Sequence, residues 1–197
     1  MMLSEPVRRH LLRLIRMGLD AGVGRLAQLS GAVWEVSEIN LREGKADELR
    51  QAKPAQDPGH CGAFFQMPGG VFLLAFPDAS VTAVAKAFVK GFSRKGDGWA
   101  GKDADVMAEV SNMVVNPVVN VLGDAALMIV FLSSPQVQRA GGAQLDAMAF
   151  DRLVLREDKG VLHADIRLRS EGLSSQCRLL MIFNSALAEI LAECLGD

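Results

Sequence analysis

The 197-residue sequence has no tyrosine, only two tryptophans and three cysteines, and its charges sum to −2. A net charge this close to zero gives no indication of a nucleic-acid partner. No apolar run reaches the length of a membrane span and no secretory signal is recognisable, so we expect a cytoplasmic protein without membrane contact. Cys61, Cys177 and Cys194 are widely spaced, which predicts buried thiols in a reducing compartment rather than a metal site.

What the sequence does have is a large apolar fraction, 50% of its residues, arranged in helix-like and strand-like periods. These periods predict a helix, a strand, a hairpin and a helix in each half of the chain. Ser4 is the predicted cap of the first helix, and Asn184 or Ser185 that of the last. The predicted helices are 4–30, 78–92, 103–123 and 185–195. The predicted strands are 33–41, 61–67, 71–77, 127–137, 152–158, 160–170 and 174–184. The predicted loops are 42–58 with a short helix at 46–52, 93–101, and 138–152 with a helical turn.

Two stretches of the first half recur in the second half. LSGAV at 29–33 resembles LGDAA at 122–126, 93 residues later, and VFLLAFPDAS at 71–80 resembles RLLMIFNSAL at 178–187, 107 residues later. Repetition of one unit along a chain is a signal of a duplicated fold. We therefore predict one domain, residues 1–197, built from two similar halves at about 4–93 and 102–197.

Four polar residues of the predicted helix at 103–123 fall on one of its faces. Asp105, Glu109, Asn112 and Asn116 follow at i, i+4, i+7 and i+11, which is one stripe of an α-helix. Pro135 comes after Asn112 with 22 residues between them, at the end of an apolar run. Taken singly, Asp105 suits the positive end of a helix dipole and Pro135 suits a strand end. Together they form the pattern Asp-x3-Glu-x2-Asn-x22-Pro.

This pattern resembles the signature of the CheC/CheX/FliY family of response-regulator phosphatases. The resemblance implies an α/β (α+β) fold with pseudo-twofold symmetry, in which long helices pack across a mostly antiparallel sheet. It also implies that Asn112 positions an attacking water and that Glu109 pairs with a lysine of the substrate protein. Asp105 and Pro135 would support these two residues. The resemblance implies no cofactor in this chain, because Mg²⁺ is expected in the partner.

The partner implied by the resemblance is the phosphorylated receiver domain of a CheY-like response regulator, whose aspartyl phosphate would be hydrolysed. A CheD-type deamidase, which binds some family members, is a second candidate partner. The alternative is a non-catalytic adaptor that binds a receiver domain without hydrolysis. Two residues keep this alternative open: Asn116 stands where the family usually has glycine, and Pro117 follows it inside the helix, where it cannot donate a backbone hydrogen bond.

The first half of the chain has no copy of the motif. At the 93-residue offset, Arg16 and Leu19 stand where the second half has Glu109 and Asn112. An arginine in place of the glutamate would also repel a basic residue of a partner. We therefore expect one site per chain, in the second half.

A competing motif is the stretch GVGRLA at 22–27, which matches the glycine-rich fingerprint of dinucleotide-binding proteins. That fingerprint requires a preceding strand, and here it lies inside a helical pattern. Close packing between helices explains these glycines better. The three histidines, His10, His60 and His163, have no ligand-like spacing and predict no metal site.

Overall fold

The computed structural model describes residues 3–50, 59–92, 103–155 and 160–196. Both halves run helix, strand, short helix, hairpin and helix. This confirms the predicted order, and it confirms the short helix predicted at 46–52 in the first half, while the second half gains a full short helix. The elements of the first half are α1 (Glu5–Ser30), β1 (Glu35–Lys45), α2 (Ala46–Arg50), β2 (Gly59–Met67), β3 (Gly70–Pro77) and α3 (Asp78–Phe92). Those of the second half are α4 (Asp103–Ala125), β4 (Gln136–Gly141), α5 (Gly142–Arg152), β5 (Gly160–Ser170), β6 (Ser175–Asn184) and α6 (Ser185–Leu195).

The strands form one six-stranded sheet in the order β1-β5-β6-β3-β2-β4, and every pair in it is antiparallel. The counterparts in the two halves are β1 and β4, β2 and β5, and β3 and β6. If each strand is replaced by its counterpart, the same order is read from the opposite edge of the sheet. A pseudo-twofold axis therefore passes between β3 and β6. Each edge strand pairs with a strand of the other half, β1 with β5 and β4 with β2. The predicted duplicated α+β fold is confirmed.

Alternation along the strands separates two apolar layers. In β3, the main core contains Phe72, Leu74 and Phe76. The residues that alternate with them, Val71, Leu73 and Ala75, belong to a smaller apolar cluster on the opposite face. Successive side chains of a strand point to opposite faces of the sheet. The main core lies under α1, α3, α4 and α6, and the smaller one lies under α2 and α5.

The two long helices, α1 and α4, pack against each other across the main face of the sheet. Contact is closest at two glycines of α1. A β-carbon added at Gly18 would lie 2.5 Å from the Cα of Val118, and one added at Gly22 would lie 3.0 Å from the carbonyl oxygen of Met113. The chain therefore needs glycine at both positions for the helices to approach this closely.

The ends of these helices correct the predicted alignment of the halves. Gly31 follows α1 with a φ of 66°, and Leu127 follows α4 with a φ of 52°. Both are left-handed residues that end a helix, and they lie 96 residues apart. The predicted 93-residue offset is therefore wrong for this part of the chain, because the short match between LSGAV and LGDAA aligned the helix ends out of step by three residues.

The second predicted offset, 107 residues, is confirmed. Helix α3 begins at Asp78 directly after β3, and α6 begins at Ser185 directly after β6. Asn184 caps α6, since its side-chain oxygen accepts a hydrogen bond from the backbone N–H of Leu187. Ser4 caps α1 in the same manner, through Val7. Both predicted caps are therefore confirmed.

Three local predictions are wrong. Residues 127–135 are not part of a strand: Leu127 lies in the turn after α4, and β4 begins only at Gln136. Pro135 has no N–H to donate to a ladder, and the Ser133 hydroxyl replaces a strand carbonyl by accepting from the Gln66 N–H. The predicted loop at 138–152 is instead β4 and α5, and the residues of the predicted strand at 152–158 that the structure describes, 152–155, are not in a strand. The predicted loop at 93–101 and residues 156–158 of the predicted strand at 152–158 lie outside the described residues.

The apolar periodicity of the sequence did not predict α5 as a full helix, because only a few of its residues are buried. Leu145, Ala149 and Phe150 are its buried residues, and they cover the smaller core rather than the main one. Beside this cluster, Arg178 donates to Asp165 at 2.6 Å and to Asp146 at 2.7 Å. These three side chains are partly buried, and the positive charge of Arg178 offsets the negative charges of the two aspartates.

Candidate functional site

Helix α4 has one apolar side and one polar stripe. Its buried residues are mostly valines, with Met107 and Leu122, and they face the main core. The stripe predicted from spacing lies outside that core: Asp105, Glu109 and Asn116 are exposed, and Asn112 is half-buried. A partner protein could therefore contact all four side chains from solvent.

The apolar content of α4 is explained by packing. By length and composition it is the one helix among the described residues that could cross a membrane, but 61% of its most apolar window is buried inside the protein. A core helix of this kind has the same composition as a membrane span. The expectation from sequence that no apolar stretch has the length of a membrane span is therefore wrong for α4 by length and composition, while its burial assigns it to the core.

The polar stripe lies on the side of α4 that faces away from α1. Helix α1 contacts α4 at Val114 and Val118. Successive helical residues are rotated by about 100°, so a residue two positions away points to nearly the opposite side. Asn112 and Asn116 are each two positions from one of these valines. The stripe therefore lies on the flank of α4 opposite α1.

Gly123 continues this stripe, seven residues after Asn116, and the chain folds back against it. A β-carbon there would lie 3.1 Å from the carbonyl oxygen of Met128 and 3.1 Å from Cγ2 of Val130. The Met128 N–H donates to the Gly123 carbonyl at 2.8 Å. The segment after α4 therefore packs along the same flank of the helix that carries the stripe.

This return explains why Pro135 belongs to the pattern. At about 3.3 Å per residue, the seven steps from Met128 to Pro135 cover at most about 23 Å. That distance corresponds to roughly 15 helical residues, so a segment running straight back along α4 reaches at most the level of about residue 108. The spacing of 22 residues after Asn112 is the length needed for the helix to finish, turn and return.

The returning segment also presents an apolar row that the sequence analysis missed. Leu127, Ile129 and Phe131 are 94%, 86% and 80% exposed. Their neighbours Met128, Val130 and Leu132 pack against the main core. The sequence signal was present in the unbroken run LMIVFL, but such a run predicts a strand buried on both faces.

The stripe can orient water and bind a cation, but it supplies no nucleophile. An asparagine amide donates one hydrogen bond while accepting another, and a carboxylate pairs with a lysine or arginine. Ser111, next to Asn112, is buried and its hydroxyl donates to the Met107 carbonyl at 2.6 Å. Within residues 3–50, 59–92, 103–155 and 160–196, no three histidine, cysteine or acidic side chains gather as metal ligands would.

The corresponding face of α1 has the opposite charge. With the 96-residue offset, Arg9, Arg13 and Arg16 stand where α4 has Asp105, Glu109 and Asn112. The pairing predicted at 93 residues, Arg16 and Leu19, is therefore wrong, and Leu19 is a fully buried core residue. The first half still lacks every motif residue, which keeps the prediction of one site per chain.

The glycine-rich stretch at 22–27 lies wholly within α1. Gly22 packs against α4, whereas a β-carbon at Gly24 would meet nothing within 4 Å. No strand precedes this stretch within residues 3–21, so the context of a dinucleotide site is missing. Helix packing therefore explains Gly22 but not Gly24.

Comparison with known proteins found similarity to solved structures but not to known sequences. No family model matches the sequence, and no curated protein sequence does. FliY from Thermotoga maritima is 14% identical with a TM-score of 0.71, over 100% of this chain and 98% of that one. The FliM middle domain from H. pylori is 9% identical with a TM-score of 0.66, over 98% and 99%, and it is matched again in a FliG–FliM complex. The chemotaxis protein CheX from Vibrio vulnificus is 12% identical with a TM-score of 0.55, over 87% and 99%.

Proposed function

Because this chain has the fold of the CheC/CheX/FliY family, we propose that it is a protein-aspartyl-phosphate phosphatase of chemotaxis signalling. Its substrate is the phosphorylated receiver domain of a CheY-like response regulator. One observation carries the proposal: Glu109 and Asn112 lie on a solvent-accessible stripe of a long helix, with both residue types that the family pattern requires. Low sequence identity gives the fold alone, so the activity rests on these residues.

Asn112 supplies the chemistry by orienting water. The water oxygen attacks phosphorus, the bond from phosphorus to the aspartyl oxygen breaks, and the aspartate leaves as a carboxylate. The water protons pass to phosphate and solvent. The receiver already holds Mg²⁺ and a lysine that neutralise the phosphoryl charge, so the missing contribution is a water held in line. An amide that donates to one group and accepts from water provides it.

Glu109 sets the register of the two proteins. Its carboxylate lies one helical turn from Asn112 and pairs with the lysine of the receiver, which fixes Asn112 over the phosphoryl group. Asp105, one further turn away, is near the start of α4, where a negative charge is favoured by the helix dipole. Pro135 ends the returning segment.

The remaining parts of the proposal concern setting and partners. The reaction takes place in the cytoplasm, where receiver domains are phosphorylated, and this chain contributes no cofactor of its own, since the receiver supplies the Mg²⁺. A CheD-type deamidase is a second candidate partner. Its test is co-purification with this chain on a column that removes weakly bound protein.

A non-catalytic adaptor is the second candidate function. It is favoured by Pro117 and Asn116, which depart from the family pattern one turn after Asn112. Pro117 leaves the Met113 carbonyl without its helical donor, and α1 packs against that carbonyl through Gly22. It is also favoured by the likeness to FliM, which is matched in a complex with another protein.

The experiment compares the decay of a phosphorylated CheY-like receiver with wild type, Asn112→Ala and Arg16→Ala. Arg16 is exposed at the position of α1 that corresponds to Asn112, so its variant is the matched control. We expect Asn112→Ala to lower the rate at saturating receiver by about 100-fold, the scale of losing a positioning contact. Arg16→Ala keeps the wild-type rate.

Binding separates the two functions. Titration against a receiver activated with beryllofluoride should show Asn112→Ala binding nearly as well as wild type, because the charge of Glu109 remains. Glu109→Ala should weaken both binding and rate. Wild-type decay in the Asn112→Ala variant would remove the water-positioning role, and binding without any acceleration by the wild type would favour the adaptor.

A further inference from the structure

The apolar row Leu127, Ile129 and Phe131 is not required by the fold. Each of the three side chains points away from the core, while the residues between them fill it. Replacing the row with polar residues would leave the packing under it intact. Large apolar side chains exposed side by side mark surfaces that bind another molecule.

The row and the polar stripe of α4 share one flank of the molecule. Gly123 belongs to the stripe and touches Met128 and Val130, the inward neighbours of the row. A segment returning along the helix places Ile129 near the level of residue 121, about 14 Å along the axis from Asn112. A protein that covers the stripe with an ordinary interface also reaches the row.

The stripe by itself is a poor anchor for a partner. Asp105, Glu109, Asn112 and Asn116 are all polar, and removing such groups from water costs free energy that their new contacts only partly return. Stable interfaces are held by buried apolar or aromatic side chains surrounded by polar groups. The row is apolar and uncharged, and it lies within reach of the stripe.

From these observations we infer that Leu127, Ile129 and Phe131 form the apolar anchor for the same receiver domain whose aspartyl phosphate is presented to Asn112. The occupant is a receiver with an apolar surface patch about 14 Å from its phosphorylation site. The row sets affinity and partner choice, and the stripe carries out the reaction. This inference rests on the proposed function for the identity of the partner.

The test uses Ile129→Asp with Val33→Asp as the matched control. Val33 occupies the corresponding position of the first half, 96 residues earlier, and is 79% exposed. Both substitutions place a charge on a residue that the core does not use, so both variants are expected to fold. The assays are KM and the maximal rate of phospho-receiver decay, binding to a beryllofluoride-activated receiver, and mass in solution by light scattering.

We expect Ile129→Asp to raise KM and weaken receiver binding by at least about tenfold, the scale of losing an interface anchor, with an unchanged maximal rate. Phe131→Ser should have the same effect, and Val33→Asp none. Equal binding by all variants would overturn the inference and leave the proposed phosphatase intact. Row-dependent binding without any decay would remove the phosphatase and keep the docking surface.

Two other outcomes also decide against the row as a receiver surface. If the wild type binds no activated receiver, both the inference and the proposed function fail. If the wild type is a dimer that Ile129→Asp converts to a monomer, with receiver binding unchanged, a second copy of this chain covers the row instead.

Discussion

Substituting alanine at two glycines of α1 tests how closely the long helices pack. At Gly18 the new methyl would lie 2.5 Å from the Cα of Val118 and 3.0 Å from the carbonyl oxygen of Pro117. Both are backbone atoms, so no side-chain rotation relieves the overlap and the helices must move apart. Forced overpacking of this kind costs about 1–3 kcal/mol, and we expect the upper part of that range.

The matched control is Gly24→Ala, six residues later on the same helix. A β-carbon there has nothing within 4 Å. Alanine favours a helix interior over glycine by about 0.5–1 kcal/mol, so this variant should gain that amount. Gly18→Ala has the same gain in helix propensity, but the steric overlap lowers its free energy of unfolding by more than this gain. The two variants should therefore differ in unfolding free energy by about 2–3 kcal/mol.

Urea denaturation followed by tryptophan fluorescence measures this difference, because Trp34 is buried in the main core. In a protein of this size, 1 kcal/mol shifts the melting temperature by about 2–4 °C, so thermal melting gives a second reading. If Gly18→Ala were as stable as Gly24→Ala, the close contact between α1 and α4 would be refuted.

Two further predictions concern the opposite face of the sheet. Burial lowers the pKa of His163 to about 4, so between its ordinary pKa of about 6.5 and that value the unfolded chain binds a proton that the folded protein does not. Stability should be constant above about pH 6.5 and fall by up to roughly 3 kcal/mol towards pH 4; urea midpoints measured across that window should lose most of this slope in His163→Gln. Arg178→Ala leaves Asp146 and Asp165 facing each other without their shared cation. We expect a loss of about 2–4 kcal/mol at pH 7, and an unchanged urea midpoint would contradict the role of this cluster.

The sequence was most informative where structure is local. Ser4 and Asn184 as helix caps, and the pair of strands predicted at 61–67 and 71–77, follow from side-chain chemistry and spacing alone. The stripe on α4 was predicted by the same periodicity. Its exposure also followed, because the valines of this helix occupy the other positions.

The sequence was least informative where contacts are distant. The pairing of β1 with β5 depends on residues more than a hundred positions away, and no local pattern encodes it. The segment at 127–135 has the composition of a strand, but Pro135 and the Ser133 hydroxyl keep it out of the ladder. The different roles of Gly18 and Gly24 depend on the other helix, since both have the same local sequence context of an amphipathic helix.

The interleaved strand order has a consequence for synthesis of the chain. β1 ends at Lys45, and its partner β5 begins only at Gly160. At about 5–20 residues per second, a ribosome needs roughly 6–23 s to make the residues between them. During that time β1 is an unpaired strand. Five of its eleven residues are charged (Glu35, Glu38, Arg42, Glu43 and Lys45), and charge is how exposed strand edges avoid pairing with other chains. The polar composition of β1 thus protects the nascent chain until the second half arrives to complete the sheet.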